Sequence, residues 1–181
     1  CATIQGQMRL RAGTIDELRA ALAVANAGGV KIAGIDLGAL NRVVEHAPED
    51  MTVTAEAGIT LTTLQAQLAQ CGQWLPIDPP NPQNTALSEI LNSNLSGPRR
   101  FGCGTIRDWL IGLKVVLADG RVIKSGGKVV KNVAGYDLQK LFVGSRGSLG
   151  IIVEATFKLR PLPEAEQFVQ AHCESLEQAA K

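Results

Sequence analysis

Little in this chain can stack, and almost none of its charge is uncompensated. Aromatic residues make up 4% of 181 positions, and Tyr136 is the single tyrosine. That excludes a base-stacking platform or an aromatic ligand cage as the organising feature. Eighteen Lys and Arg against 17 Asp and Glu leave a formal charge of +1, which excludes a strongly basic nucleic-acid surface. No apolar run approaches the ~20 residues of a bilayer span, and no signal peptide is visible. The chain starts at Cys1 rather than Met, so a trimmed or processed N-terminus is expected. Cys1, Cys71, Cys103 and Cys173 contain no C-x-x-C pair, the spacing a zinc site favours. Reduced thiols in a cytoplasmic protein are the expectation. His46 and His172 are the only histidines, and neither has a triad partner nearby in sequence. His46 falls in the polar stretch Glu45–Asp50, where a solvated side chain is expected. Glycine is plentiful instead, at 19 residues, beside 45% hydrophobic residues and a mean hydropathy of +0.09. A packed core with tight turns follows, and with it close backbone approach to something.

Periodicity predicts alternating helices and strands. Thr14 and Glu17 form a capping box before Leu18, Ala21, Leu22 and Ala25, and Gly28-Gly29 ends that helix. Val30–Ala33 reads as a short strand, and Met51–Ala57 as a half-buried strand. Thr60 starts a second helix with Leu61, Leu64 and Leu68 on one face, stopped by Gly72. Pro76, Pro79, Pro80 and Pro82 make the next stretch extended, neither helix nor central strand. Thr85 is expected to cap a third helix through Asn92. Asp119-Gly120 between Leu113–Leu117 and Arg121–Lys124 signals a hairpin. Tyr136–Val143 reads as a short helix, and the alternation from Ile151 as a long strand ended by Pro161 and Pro163. The tail carries a strand near Gln167–Cys173 and a helix capped by Ser175 with Gln178 at its third position.

Three segments are candidates for chemistry. Gly144–Gly150 has the spacing G-x-x-G-x-x-G, neither a Walker loop nor the dinucleotide fingerprint. A helix precedes it and a strand follows, so its glycines either expose amide groups to a ligand or serve a turn. Asn92–Asp108 holds Arg99, Arg100 and Arg107 among short polar residues, which suits an anion or a solvated loop. Lys128–Asp137 holds Tyr136, read as a cofactor contact or a core-edge tyrosine.

Motif order adds a resemblance. D-P-P at 78–80, S-G-P-R-R at 96–100, the run from Arg107 to Leu138, and G-S-R-G-S-L-G-I-I-V-E-A-T-F-K-L-R-P at 144–161 occur in sequence. In these, roughly Ile35 to Pro163 resembles the FAD-binding domain of the vanillyl-alcohol oxidase / p-cresol methylhydroxylase family. Within it the chain is most similar to the smaller flavin-domain (E) subunits of glycolate oxidases. The resemblance implies an α+β fold, a two-lobed FAD-binding PCMH-type domain with mixed and antiparallel sheets flanked by helices. Residues 1–58 would form the N-terminal lobe, 59–163 the second lobe, and 164–181 the start of a cap domain.

The resemblance also implies FAD contacts. Asn94, Ser96 and Gly97 would run beside the flavin. Gly104, Thr105 and Asp108 would contact flavin and pyrophosphate. Gly147, Gly150 and Ile152 would hold the adenosine end, and Pro79 would pack near the ring system. No metal site and no catalytic side chain are assigned.

Four departures accompany it. The family sets a glycine-rich pyrophosphate cradle near Val30–Gly34, whereas Lys31–Gly34 here runs directly into Ile35-Asp36-Leu37. A nest and its connection, about a dozen residues, are absent; loss of the loop and omission from the sequence both stand open. Ser88-Glu89 replaces a Gly-Gly pair, adding bulk and negative charge against the flavin. Most of the cap is expected to be missing. No histidine is placed for a covalent flavin link, and a thioether from Cys103 competes with a plain reduced thiol. The expected function is the FAD-binding subunit of a 2-hydroxy-acid (glycolate-type) oxidase, working with a larger flavin subunit and an iron–sulfur subunit. The alternative is a degenerate, non-catalytic scaffold subunit of the same fold.

Overall fold

The computed structural model describes residues 2–4, 7–127, 137–167, 170 and 172–179. In chain order these form β1 (Ala2–Ile4), β2 (Gln7–Arg11), α1 (Ile15–Ala27), β3 (Ile32–Asp36), β4 (Val43–Ala47) and β5 (Thr52–Glu56). Next come α2 (Leu61–Ala69), β6 (Gln73–Trp74), α3 (Leu87–Ser93), α4 (Arg100–Cys103) and α5 (Ile106–Trp109). Then follow β7 (Leu110–Val116), β8 (Val122–Gly126), α6 (Gln139–Phe142), β9 (Ile151–Lys158), β10 (Arg160–Pro161) and α7 (Leu176–Ala179).

Two sheets organise them. The smaller has the order β1-β2-β3, with β2 and β3 parallel and α1 as the crossover between them. The larger is antiparallel throughout, in the order β4-β5-β9-β7-β8. This is the expected α+β fold. The sheets divide the chain between Asp36 and Val43, because β4 and β5 join the larger sheet although both precede residue 58.

Local chemistry explains the helix ends. The Thr14 hydroxyl accepts from Glu17 N at 3.2 Å, while Glu17 Oε2 accepts from Gly13 N at 2.8 Å. One of the amides a helix start leaves unpaired is thereby satisfied, and the residue before the cap is tied back onto the first turn. Gly29, at φ 63, turns the chain out of α1, and Val30 N donates to Ala25 O. The hairpin predicted at Asp119-Gly120 joins β7 to β8, and its turn docks on α1. Arg19 Nε donates to Gly120 O at 3.0 Å.

One core serves both sheets. Val53 and Ala55 of β5, Leu113 of β7, and Ala155 and Phe157 of β9 are buried with Leu61, Leu64 and Leu68 of α2 and Leu87, Ile90 and Leu91 of α3. Each fully buried leucine contributes about 1.5–3 kcal/mol of transfer free energy. The other face of the large sheet is polar: Thr54 and Thr156 share a 2.9 Å hydrogen bond, and Lys114 pairs with Glu154.

Several expectations need correction. The strand placed at Val30–Ala33 lies at Ile32–Asp36. β5 is buried on both faces, with Thr52 and Glu56 each 3% exposed, and Arg42 pairs with the buried Glu56 carboxylate. His46 is not in a solvated loop: it sits in β4, and its Nε2 lies 2.8 Å from Gln73 Oε1. Thr85 does not cap α3. Its hydroxyl donates to Asn81 O at 2.9 Å, and Ala86 takes the cap position without a side-chain bond. Gln73-Trp74 pairs with Arg160-Pro161, a short ladder that the proline-rich surroundings hid. The tail helix forms with Gln178 N donating to Ser175 Oγ at 3.3 Å. The strand expected near Gln167–Cys173 falls on residues 168, 169 and 171, which lie outside the described residues. Lys128–Tyr136, including the candidate tyrosine, also lies outside the described residues.

Candidate functional site

A groove separates the two sheets. Its first part, about 380 Å³, is walled by Ile32, Ala33, Gly34 and Ile35 of β3 on one side. Ser88 and Asn92 of α3 and Arg146–Ile151 of the glycine loop wall the other, and Val116 and Ala118 contribute from the end of β7. A second part, about 360 Å³, adds Asp36, Gly38, Gly58, Asn84, Ala86 and Glu89. Both parts share Ile35, Leu37, Ser88 and Asn92, so they form one continuous groove. β3 is the edge strand of its sheet, and its outer row of backbone groups is free of ladder partners on that side.

The glycine loop is built to be a wall. Gly144 N donates to Leu91 O at 2.8 Å and Arg146 N to Asn92 O at 3.0 Å, fastening the loop to the end of α3. At Gly150, φ 150, a β-carbon would stand 2.6 Å from Val115 Cγ1, so only glycine lets the loop close onto β7. The first amides of α3 are spent inside the fold: Leu87 N donates to Ile59 O and Ser88 N to Ala57 O.

Three buried side-chain atoms have no hydrogen-bond partner among the described residues: Asn92 Oδ1, Ser96 Oγ and Ser145 Oγ. An unsatisfied buried group of this kind costs about 1–3 kcal/mol. Asn92 lines both parts of the groove, and Ser145 opens the loop segment that walls it. A polar ligand in the groove would reach Asn92 Oδ1.

The expected contacts distribute unevenly. Gly147 and Gly150 line the groove; Ile152 does not, for its side chain is fully buried in β9 and its neighbour Ile151 faces the groove instead. Asn94 ends α3 at φ 48 beside the loop, its Cβ being 3.7 Å from where a Gly144 β-carbon would stand. Gly97 has a packing reason of its own: a β-carbon there would lie 1.9 Å from Asp78 O. Thr105 and Asp108 bond each other, with Thr105 N donating to Asp108 Oδ2 at 2.7 Å and the Thr105 hydroxyl at 3.0 Å. The Thr105 amide holds the Asp108 carboxyl below its ordinary range, burial opposing. Gly104 precedes them at φ 79. Of the expected contacts, only Gly147 and Gly150 wall the groove.

Pro79 lies elsewhere, in an apolar hollow of about 710 Å³ with Leu61, Trp74, Ile77 and Leu162. Arg99 crosses that hollow. It is committed there, its two terminal nitrogens donating to Glu166 at 2.8 and 3.0 Å and its guanidinium 5.0 Å from the centre of the Trp74 ring. The anion role expected of Arg99 is therefore taken by the chain's own tail. Sequence reading offered Asn92–Asp108 as a candidate segment and a cradle position near Val30–Gly34, but did not join the two as facing walls of one groove. A short polar residue four after Ser88 on α3 was the available signal for Asn92. Among the described residues no cluster could hold a metal ion, and no helix is long and apolar enough to cross a membrane.

A family model described as an FAD binding domain matches residues 32–126. The chain belongs to that family. FAD is its cofactor, and the groove's walls, glycine loop and unpaired polar atoms fit a long polar ligand. The chain is 39% identical over 142 residues to the Bacillus subtilis glycolate oxidase subunit GlcD, covering 78% of this chain and 30% of that protein. It is 39% identical over 124 residues to the Escherichia coli glycolate oxidase subunit GlcE, covering 68% and 35%. It is 39% identical over 137 residues to a probable mitochondrial D-lactate dehydrogenase of Danio rerio, covering 74% and 27%. The FAD-binding chain thus spans about a third of the length of these relatives. In fold it matches an alkyldihydroxyacetonephosphate synthase with a TM-score of 0.72 at 24% identity, over 87% of this chain and 32% of that one.

Proposed function

We propose that this FAD-binding domain is the flavin-carrying part of a 2-hydroxy-acid oxidase or dehydrogenase of the glycolate oxidase type. The observation that carries the proposal is the groove between the sheets, with buried polar atoms left for a ligand, in a chain whose relatives bear the names of glycolate and D-lactate enzymes. FAD, when bound, supplies two-electron redox chemistry. The chain's own part is to bind and orient it. Gly147 and Gly150 allow close backbone approach, and Asn92 and Ser145 hydrogen-bond polar parts of the cofactor. Ile32–Ile35 closes the opposite side. Asn94, Ser96, Gly97, Gly104, Thr105, Asp108, Ile152 and Pro79 are proposed, as part of the same reading, to line the surroundings of the bound cofactor.

The protein works beside a larger flavin subunit and an iron–sulfur subunit, in the cytoplasm, where Cys71, Cys103 and Cys173 stay as free thiols. The division into an N-terminal lobe, a second lobe and the start of a cap at 164–181 belongs to the same proposal. One observation favours a second reading, a scaffold subunit: Asp36 and Glu89 place two carboxylates in the groove. The test is anaerobic addition of glycolate, D-lactate or D-2-hydroxyglutarate to the FAD-loaded protein assembled with its partner subunits. Substrate-dependent bleaching of this chain's flavin supports the redox role. A complex that turns over fully while this chain carries no flavin supports the scaffold.

A further inference from the structure

FAD carries a diphosphate, and two negative charges in a groove need either a cation or a nest of free amides. The first amides of α3 are not available, since Leu87 N and Ser88 N already donate to Ile59 O and Ala57 O. β3 runs straight from Ile32 to Asp36 with no glycine-rich turn, so it offers an edge but not a nest. Amides of the glycine loop and of the free β3 edge add hydrogen bonds, and the charged side chains that line the groove set its polarity. Arg146 lines the first part, while Asp36 and Glu89 line the second. Asp36 is already compensated: Arg11 lies 3.5 Å away, and its Oδ1 accepts from Gly38 N at 2.8 Å. Glu89 has no ion-pair partner among the described residues and leaves that end negative. Arg146 uses only its backbone, donating to Asn92 O, and its guanidinium has no partner among the described residues. It is held beside the groove by a backbone in the left-handed region, φ 53, between Ser145 with its unpaired hydroxyl and Gly147.

We propose that Arg146 is the cationic anchor for the FAD diphosphate, and that the groove is polarised so the cofactor enters in one direction. The diphosphate sits at the Arg146 end. The uncharged part of the cofactor lies toward the Asp36–Glu89 end, away from the diphosphate. The planar fork of Arg146 matches phosphate oxygens two at a time. The proposal rests on this chain binding FAD, and its test separates the two claims.

The experiment is calorimetric titration of FAD, ADP and adenosine into the full chain, as wild type, Arg146→Lys and Arg146→Gln, at low and high salt. Arg146→Gln is expected to weaken both FAD and ADP by about tenfold to a hundredfold, the size of a charge-assisted contact. Adenosine affinity stays at the wild-type value, Arg146→Lys falls between, and the salt dependence of ADP binding drops in Arg146→Gln. The melting temperature stays constant, because the side chain is exposed and has no partner among the described residues. Wild-type binding with Arg146→Gln equally tight for FAD and ADP overturns the proposal alone. A wild-type chain that takes up neither FAD nor ADP overturns it together with the cofactor reading.

Discussion

Gly97 offers a sharp separation between a residue kept for a ligand and one kept for the fold. A β-carbon at Gly97 would lie 1.9 Å from Asp78 O and 2.6 Å from Asp78 Oδ1. The first clash is with backbone, so the Asp78 segment itself must move. That movement also strains the 3.0 Å bond from Arg99 N to Asp78 Oδ2, which ties the start of α4 to the proline-rich stretch. Overpacking of this kind costs roughly 1–3 kcal/mol, and weakening a hydrogen bond to a carboxylate adds about 1–2 kcal/mol. Gly97→Ala is therefore expected to destabilise the chain by about 3 kcal/mol, or about 6–12 °C in melting temperature for a domain of this size. The assay is thermal unfolding followed by circular dichroism on protein stripped of cofactor. Gly102→Ala is the control, because a β-carbon at Gly102 meets nothing within 4 Å. An unchanged melting temperature in cofactor-free Gly97→Ala, with FAD affinity alone reduced, refutes the packing explanation and restores Gly97 as a flavin contact.

Two further outcomes follow from the groove and the core. Glu89→Gln removes an unpaired negative charge from the groove wall and is expected to tighten FAD two- to tenfold, about 0.4–1.4 kcal/mol; unchanged affinity at low salt would remove Glu89 from the cofactor's surroundings. Glu56 is the second case. Arg42 donates to it from its backbone N at 2.8 Å and from Nη2 at 2.9 Å, and this bonding holds the carboxyl below its ordinary 4.5 although burial opposes. Its stabilising contribution is thus present above pH 4.5 and lost as pH falls through the depressed folded value. Glu56→Gln should be less stable than wild type at neutral pH and lose less stability on acidification, as urea midpoints across that range would report. Parallel pH profiles for the two proteins would contradict it.

Much of the fold was legible because the local signals agreed with the tertiary ones. Thr14–Glu17, Thr60, Gly72 and Asp119-Gly120 act where local chemistry puts them, and the alternation after Ile151 is β9. Failures came where distant partners overrode local reading. His46 and Gln73 find each other across 27 positions, and Glu56 is held in the interior by Arg42, 14 positions back. Gln73-Trp74 becomes a strand solely through Arg160-Pro161. In the site, the glycine loop could be read from its spacing, and a resemblance supplied the cofactor. For the opposing wall the resemblance pointed to Val30–Gly34, but that β3 itself faces the groove is set by sheet topology and not by a residue pattern. Asn92 gained its meaning only once its amide was seen buried without a partner.

The most direct measurement is the flavin-to-protein ratio of the purified chain after incubation with excess FAD and removal of free cofactor. A groove built as described retains close to one FAD per chain, with the flavin absorbance lost to the filtrate on unfolding. A chain that stays colourless and takes up no FAD on titration, while its circular dichroism shows it folded, contradicts the assignment of this groove to the cofactor.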